Sequence, residues 1–355
     1  MIPVHGYASK QTKGPLILYE FERREPRDLD VVIDIQYCGI CHSDIHQVSD
    51  EWGGSTFPMV PGHEIAGIVS QVGTNVSRYK VGERVGVGCF VDSCRKCYPC
   101  HDGLEQYCVE GCTLTYNDVE RDGKTPTLGG YSNMIVVKED YVLKIPNDLP
   151  LPRAAPLMCA GITLYSPLMH WNAGPGKKVG IIGLGGLGHM GVKIARALGA
   201  EVTVLSHSLN KEEDGRKMGA DHFFATSDPK TFEKLEGSFD MVINTVSVEL
   251  DMNSYLNLLR LDGTMVIVGL PEKELSFGAS SLTNARRQLA GSVIGGIQET
   301  QEMLEFCDKH KIYCDIELTP IQKVNEAYRR VVNSDVKYRF VIDMKSLSRL
   351  ASLNC

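Results

Sequence analysis

Along the first 150 residues the apolar and polar positions alternate with a period close to two. "DVVIDIQYC" (Asp30–Cys38) and "EIAGIVSQVG" (Glu64–Gly73) both read this way, with glycines and prolines punctuating the stretches between. A period of two is that of a strand with one buried face, so this part is predicted to be strand-rich and turn-rich. Region 90–130 departs from the pattern, as a loop with five cysteines and few apolar pairs. Loops that long need a tie of some kind.

From about residue 151 the rhythm changes. "KVGIIG" (Lys178–Gly183) is a short buried strand, and "GGLGHMGVKIARALGA" (Gly185–Ala200) is a helix that begins in glycines. "EVTVLS" reads as a strand, "NKEEDGRKMGA" as a helix, and "FDMVINTV" and "LDGTMVIVG" as strands. Strands alternating with helices predict βαβ units and a parallel sheet, an α/β fold class. "TQEMLEFCDKH" is then a helix, and "KYRFVIDM" closes the pattern as a strand.

The 355 residues suffice for two domains, and 43% hydrophobic with 23% charged residues describes a globular chain. A net charge of -7 argues against nucleic acid as a partner, because phosphate binding needs an electropositive face. The start of the chain lacks an apolar core of signal-peptide length, and the longest apolar run, "VGIIGLGGLGHMGV", is broken by glycines and a histidine. We therefore expect no membrane segment and a cytoplasmic location. There, twelve cysteines suggest metal ligands or reactive thiols rather than disulfides.

"CRKCYPCHDGLEQYC" carries Cys94, Cys97, Cys100 and Cys108 in a C-x2-C-x2-C-x7-C array. Four thiolates spaced to wrap a point meet the needs of a closed, structural zinc site, which would tie down a loop that buries little apolar surface. Cys112 competes for the fourth place, Cys89 lies just outside the array, and an iron–sulfur cluster is the alternative occupant. The CxxC of "CGICHSDIH" (Cys38 and Cys41) is ambiguous by itself, as half a zinc knuckle, a redox pair or neither.

"GLGGLG" supplies Gly183, Gly185 and Gly188 in GxGxxG spacing, with Gly186 inside the turn. It follows an apolar strand and opens a helix, the context in which glycines permit close approach of a pyrophosphate to a helix N-terminus. A ribose-binding acid should stand at the end of the next strand. That end is "LSHSLNK": Ser206, His207, Ser208 and Lys211 are there, and Glu201 lies at the strand's wrong end. Hydroxyls and a lysine suit a 2′-phosphate that an acid would repel, so NADP(H) is predicted over NAD(H).

"CGICHSDIH", "PGHEIAG", "GVGCFVDSC", "CAGITLYSPL", "GLGGLGHMGVK", "IGGIQETQEM" and "KYRFVIDM" run through the whole chain. Together they resemble the zinc-containing medium-chain alcohol dehydrogenases, specifically the cinnamyl-alcohol-dehydrogenase-like group. The resemblance implies a GroES-like, mostly β catalytic domain over residues 1–155, carrying the structural zinc loop. It implies a Rossmann NADP-binding domain with a doubly wound parallel sheet over 156–297, and a C-terminal return to the catalytic domain over 298–355. It makes Cys41, His63 and Cys159 the ligands of a catalytic zinc, with Glu64 as an exchangeable fourth group or a partner of the ligands, and leaves Cys38 as a strand residue facing the core. Two Zn2+ per chain and NADP(H) are then the cofactors, and the iron–sulfur reading is disfavoured.

The implied chemistry is interconversion of primary alcohols with aromatic or medium aliphatic aldehydes. Zinc can lower the pKa of a coordinated oxygen from about 16 to about 7, and hydride passes to or from nicotinamide C4. Ser43 and His46 match a proton relay through the cofactor ribose. Thr163, Thr245, Gly269 and the "IGG" from Ile294 to Gly296 match cofactor contacts, and His42 could meet the pyrophosphate. Trp52 and Phe90 are candidate walls for a small-molecule alcohol or aldehyde. Related enzymes dimerise through Rossmann edge strands, here expected at "GSVIGGI". Zinc-free quinone or enoyl reductases lack the Cys–His–Cys set, polyol dehydrogenases commonly carry a carboxylate where Cys159 stands, and an NAD-linked relative is the nearest alternative. A zinc-stabilised binding module is the non-enzyme alternative, which the acidic balance disfavours.

Overall fold

The computed structural model describes residues 1–271 and 273–347. It contains two compact units, one of residues 1–162 with 295–355 and the other of residues 163–294.

The first unit is built on a seven-stranded sheet. Its strands include β3 (Asp30–Gly39), β4 (Ile65–Val72), β5 (Arg84–Val87), β8 (Met134–Lys138) and β9 (Leu143–Lys144). Two more come from the end of the chain, β16 (Ile316–Pro320) and β17 (Arg339–Asp343). The order is β16-β17-β3-β4-β5-β9, with β8 paired to β3. β17 runs antiparallel to β3, with Ile342 opposite Cys38 and Val341 opposite Gly39. The C-terminal segment is therefore an internal strand of this sheet, although more than 300 residues separate the partners in the chain. Two small pairs complete the unit: β1 (Ile2–Ala8) with β2 (Ile17–Arg23), and β6 (Phe90–Asp92) with β7 (Thr113–Leu114). Cys38 is fully buried in β3. The unit's helices include α1 (His42–Val48), α5 (Ile297–His310) and α6 (Val324–Val332).

The second unit is a six-stranded parallel sheet of β10 (Lys178–Ile182), β11 (Glu201–Ser206), β12 (His222–Ala225), β13 (Phe239–Asn244), β14 (Leu259–Ile267) and β15 (Gln288–Gly291). Its order, β12-β11-β10-β13-β14-β15, reverses direction of travel at β10, the doubly wound Rossmann topology. β10 is buried from Val179 to Ile182, as expected where helices cover both faces of a parallel sheet. α2 (Ala160–His170) brings the chain in, and α3 (Gly188–Ala197) and α4 (Glu212–Met218) follow β10 and β11. α4 carries Glu212, Glu213 and Asp214 in its first turn and Arg216 and Lys217 in its last, matching the helix dipole, and stops at left-handed Gly219. Ile182, Leu205, Phe239, Val242, Leu256 and Met265 belong to one core cluster of this unit.

One expected element moves. "GSVIGGI" is not the edge strand; that strand is Gln288–Gly291, and only Gly291 of the heptapeptide lies in it. Ile294 has a φ of +40°, and Gly296 is already the N-cap of α5, so the backbone turns out of extended geometry. α5 accordingly begins at Ile297, three residues before the predicted start. Among the described residues no helix is long and apolar enough to cross a membrane.

Candidate active site and metal centres

α1 opens at Cys41, whose backbone N–H donates to Asp44 Oδ2 at 2.9 Å. The carboxylate satisfies a donor that a helix start leaves without an intrahelical partner, so the turn "CHSD" caps itself. Fully buried Asp44 also accepts the Gly62 N–H at 3.1 Å and the Tyr131 hydroxyl at 3.1 Å. Its other oxygen lies 3.2 Å from His63 Nδ1, which leaves Nε2 as the ring nitrogen available to a metal. Gly62 has a φ of +105°, and a Cβ there would come within 2.8 Å of Cys38 Sγ; glycine is what lets the loop turn His63 inward.

Donor atoms of Cys41, His63, Glu64 and Cys159 all lie within 4.8 Å of one another, and all four residues are buried. Cys41 and Cys159 approach to 3.9 Å between sulfurs. Tetrahedral zinc with Zn–S bonds near 2.3 Å separates two sulfurs by about 3.8 Å. Glu64 Oε1 is ion-paired with Arg339 from β17, while buried Oε2 has no hydrogen-bond partner among the described residues. Two sulfurs, an imidazole nitrogen and an orphaned carboxylate oxygen are a donor set that fits Zn2+.

The electrostatics of the cluster follow from its closeness. Hydrogen bonding with Cys159 holds the Cys41 thiol well below its ordinary value, and the same contact raises Cys159 well above it. A cation held between the two sulfurs would favour both as thiolates. Burial pushes Glu64 up to about 7, against the pull of Arg339. Burial disfavours charge on His63, yet Cys89 and Asp44 together raise it.

The other expected residues group around these. Ser43 Oγ is 3.6 Å from the Cys41 sulfur. His46, three residues along α1, contacts Glu51 through Nδ1, and its ring lies 4.9 Å from that of Trp52. Trp52 thus covers His46, and His42 is exposed. Phe90 is buried edge-on against Tyr141. Residue-by-residue reading missed Asp44, Arg339 and Tyr116, whose ring stacks on His63 with centroids 5.9 Å apart. The signals for the first two were present: an acid three residues into a capped helix, and an arginine inside the apolar run "YRFVI".

Cys94, Cys97, Cys100 and Cys108 form a second group within 4.8 Å. Their sulfurs approach to 3.9 Å (Cys94–Cys100), 3.5 Å (Cys97–Cys100) and 4.0 Å (Cys97–Cys108), spacings that fit tetrahedral zinc. Backbone N–H groups of Cys94, Cys97 and Val109 and the guanidinium of Arg121 point at these sulfurs, stabilising thiolate charge. Cys112 and Cys89 are outside this group; Cys89 instead bears on Cys159 and His63.

In the second unit the glycine loop joins β10 to α3. Gly183 has a φ of +90° and donates its N–H to Leu205 O, so the turn is tied to β11. A Cβ at Gly188 would collide with the Gly183 carbonyl, whereas one at Gly185 would meet open space. The loop is closed on one side and open on the other, as a pyrophosphate cradle needs. The Thr245 hydroxyl donates to Ile182 O at 2.7 Å and buttresses the loop. Ser206 ends β11, Ser208 stands at the N-cap position of the following turn, and the Lys211 ammonium donates to Leu184 O at 3.1 Å, drawing it to the glycines. Gly269 packs on the backbone of Val246, with no room for a side chain, and Thr163 is buried in α2. Gly186 lies within the loop, half-buried.

Residues 27–147 match the alcohol dehydrogenase GroES-like domain, and residues 186–309 match the family described as zinc-binding dehydrogenase. NADP-dependent alcohol dehydrogenase C 1 of Mycolicibacterium smegmatis is 60% identical over 98% of this chain and 99% of its own. The structure of a cinnamyl alcohol dehydrogenase from Sorghum bicolor superposes with a TM-score of 0.94 at 42% identity, covering 97% of this chain and 98% of that one. The Helicobacter pylori enzyme complexed with NADP(H) gives a TM-score of 0.91 at 43% identity, covering 97% and 99%.

Proposed function

The chain belongs to the zinc-containing medium-chain alcohol dehydrogenases, in their cinnamyl-alcohol-dehydrogenase-like group, and from that premise we propose an NADP(H)-linked alcohol dehydrogenase and aldehyde reductase. Its substrates in this reading are primary alcohols and aromatic or medium aliphatic aldehydes. The observation that carries it is the buried convergence of Cys41, His63, Glu64 and Cys159. When bound, zinc at that group polarises the substrate oxygen, and NADP(H) accepts or supplies the hydride.

The chain's own residues have separable tasks. Asp44 fixes the His63 ring through Nδ1, and Arg339 neutralises Glu64 so that a carboxylate can stay beside two thiolates. Ser43 and His46 would carry the alcohol proton outward; Glu51 at Nδ1 leaves His46 Nε2 to receive it. Ser206, Ser208 and Lys211 would hold the 2′-phosphate, with the GxGxxG backbone on the pyrophosphate. Thr163, Thr245, Gly269, Ile294 and Gly296 would bound the nicotinamide end. Cys94, Cys97, Cys100 and Cys108 would hold a structural zinc, since four protein ligands leave no open position. We further propose a cytoplasmic homodimer formed by antiparallel pairing of β15 with its copy, because among the described residues β15 is an unpaired sheet edge.

Initial rates of NADPH and NADH oxidation with cinnamaldehyde test the reading. Specificity constants should favour NADPH by about ten- to a thousand-fold, the worth of one or two charge-assisted hydrogen bonds. Preference for NADH would sink the phosphate site at Ser206–Lys211, and no turnover with either would sink the aldehyde assignment.

A further inference from the structure

Helix α5 starts without a cap of its own. Gly296, its N-cap residue, has no side chain to accept the first N–H groups, which a helix leaves without partners. The missing acceptor comes from the cysteine lobe. Glu105 stands in the single turn Glu105–Tyr107, between the thiols of Cys100 and Cys108, and its Oε2 accepts the Ile297 N–H at 3.1 Å. A carboxylate is the favourable charge at the N-terminus of a 14-residue helix.

The lobe also sits flush against the residue before it. A Cβ on Gly296 would collide with the Gly103 carbonyl and come within 2.6 Å of Glu105 Oε2. Glycine there is a condition of the contact. From the helix side, the Thr300 hydroxyl donates to Gly296 O at 2.6 Å, so Gly296 is held on two sides. The two residues before it need such a hold. Ile294 is β-branched with a φ of +40°, and Gly295 would bring a Cβ within 2.6 Å of Glu299 Oε2. Residues 294–296 are therefore a short non-repetitive link that runs from β15 into a helix whose first turn is pinned by the lobe.

We infer that Glu105 is a positioning residue for dinucleotide binding. The loop that would hold the structural zinc anchors the segment Ile294–Gly296, so order in the lobe is converted into cofactor affinity. This rests on the reading that the segment meets the nicotinamide end of NADP(H). A segment held in its binding geometry beforehand loses less freedom when the cofactor arrives.

The test is NADPH binding to the zinc-loaded enzyme by titration calorimetry, with zinc content and kcat measured on the same preparations. Glu105→Ala should raise Kd and KM for NADPH about 3- to 10-fold, the worth of one helix cap. It should keep its zinc and hold kcat at saturating cofactor within about two-fold. Glu105→Gln still offers an oxygen to the Ile297 N–H and should recover most of the affinity. An unchanged Kd for Glu105→Ala overturns the inference, as does weakening that tracks loss of zinc. Should the alanine variant fail to fold, Glu105→Asp keeps the charge but shortens the reach. Its Kd must then exceed that of Glu105→Gln, and equality with wild type overturns the inference. Wild-type enzyme that binds no NADPH would bring down the cofactor reading and this inference together, whereas wild-type binding with an unshifted alanine variant removes the inference alone.

Discussion

Asp44 gathers four groups from three pieces of chain around one carboxylate: the Cys41 N–H that starts α1, the Gly62 N–H and the His63 ring, and the Tyr131 hydroxyl. Its substitution tests how far that arrangement governs metal binding. Asp44→Asn keeps the shape but removes the charge that favours a metal-bound imidazole. Zinc affinity should fall about 10- to 100-fold by competition with a chelator; unaltered affinity would mean that backbone geometry alone orients His63. The candidate ligands and their supports differ in how they can be read from sequence. Cys41, His63 and Cys159 could be picked out only through motif resemblance, because 22 and 96 residues separate consecutive members and no local period links them. Arg339 is harder still. Its partner Glu64 lies on a strand-edge loop reached through sheet pairing, and nothing around "KYRFVIDM" indicates which acid it meets.

At the scale of elements, the cysteine lobe is ordered by means other than apolar burial. Tyr98, Val109, Leu104 and Tyr107 are exposed in it, which leaves the thiols and turn hydrogen bonds to hold its shape. Cys97→Ser should therefore cost one zinc per chain by atomic absorption and lower the midpoint of thermal unfolding by at least about 5 °C. Retention of full zinc content would disqualify the four-sulfur site. The same fact explains why the pieces of this lobe were illegible as secondary structure. β6, β7 and the turns at 98–101 and 105–107 are too short to show a period, whereas β3, β4, β10 and α3 are long and buried enough to declare theirs. The misjudged edge strand has a different cause. "SVIGG" is apolar enough for a strand, but the left-handed residue at Ile294 and the helix start at Gly296 override that propensity.

For the whole molecule, alternation of strand and helix was sufficient to expect a parallel sheet, while its doubly wound order and the placement of β16 and β17 in the first unit's sheet were accessible only by resemblance. The sheet order bears on assembly. β15 is a free edge of short length, and Val293 just beyond it is 49% exposed. The edge-pairing proposal expects a wild-type dimer in light scattering and a monomer for Val293→Glu, and a wild-type monomer would end it. The antiparallel pairing of β17 with β3 also sets an order of events at birth. Glu64 and Arg339 are separated by 275 residues. At a ribosome's pace of about 5–20 residues per second, the carboxylate is made roughly 14–55 s before its counter-ion. All four donors of the Cys41 cluster precede the second unit in the chain, as does the whole lobe of Cys94–Cys108, but the charge that balances Glu64 does not. Both candidate metal sites therefore have their donors in hand early, and the Cys41 cluster gains the guanidinium that balances Glu64 only when β17 joins β3.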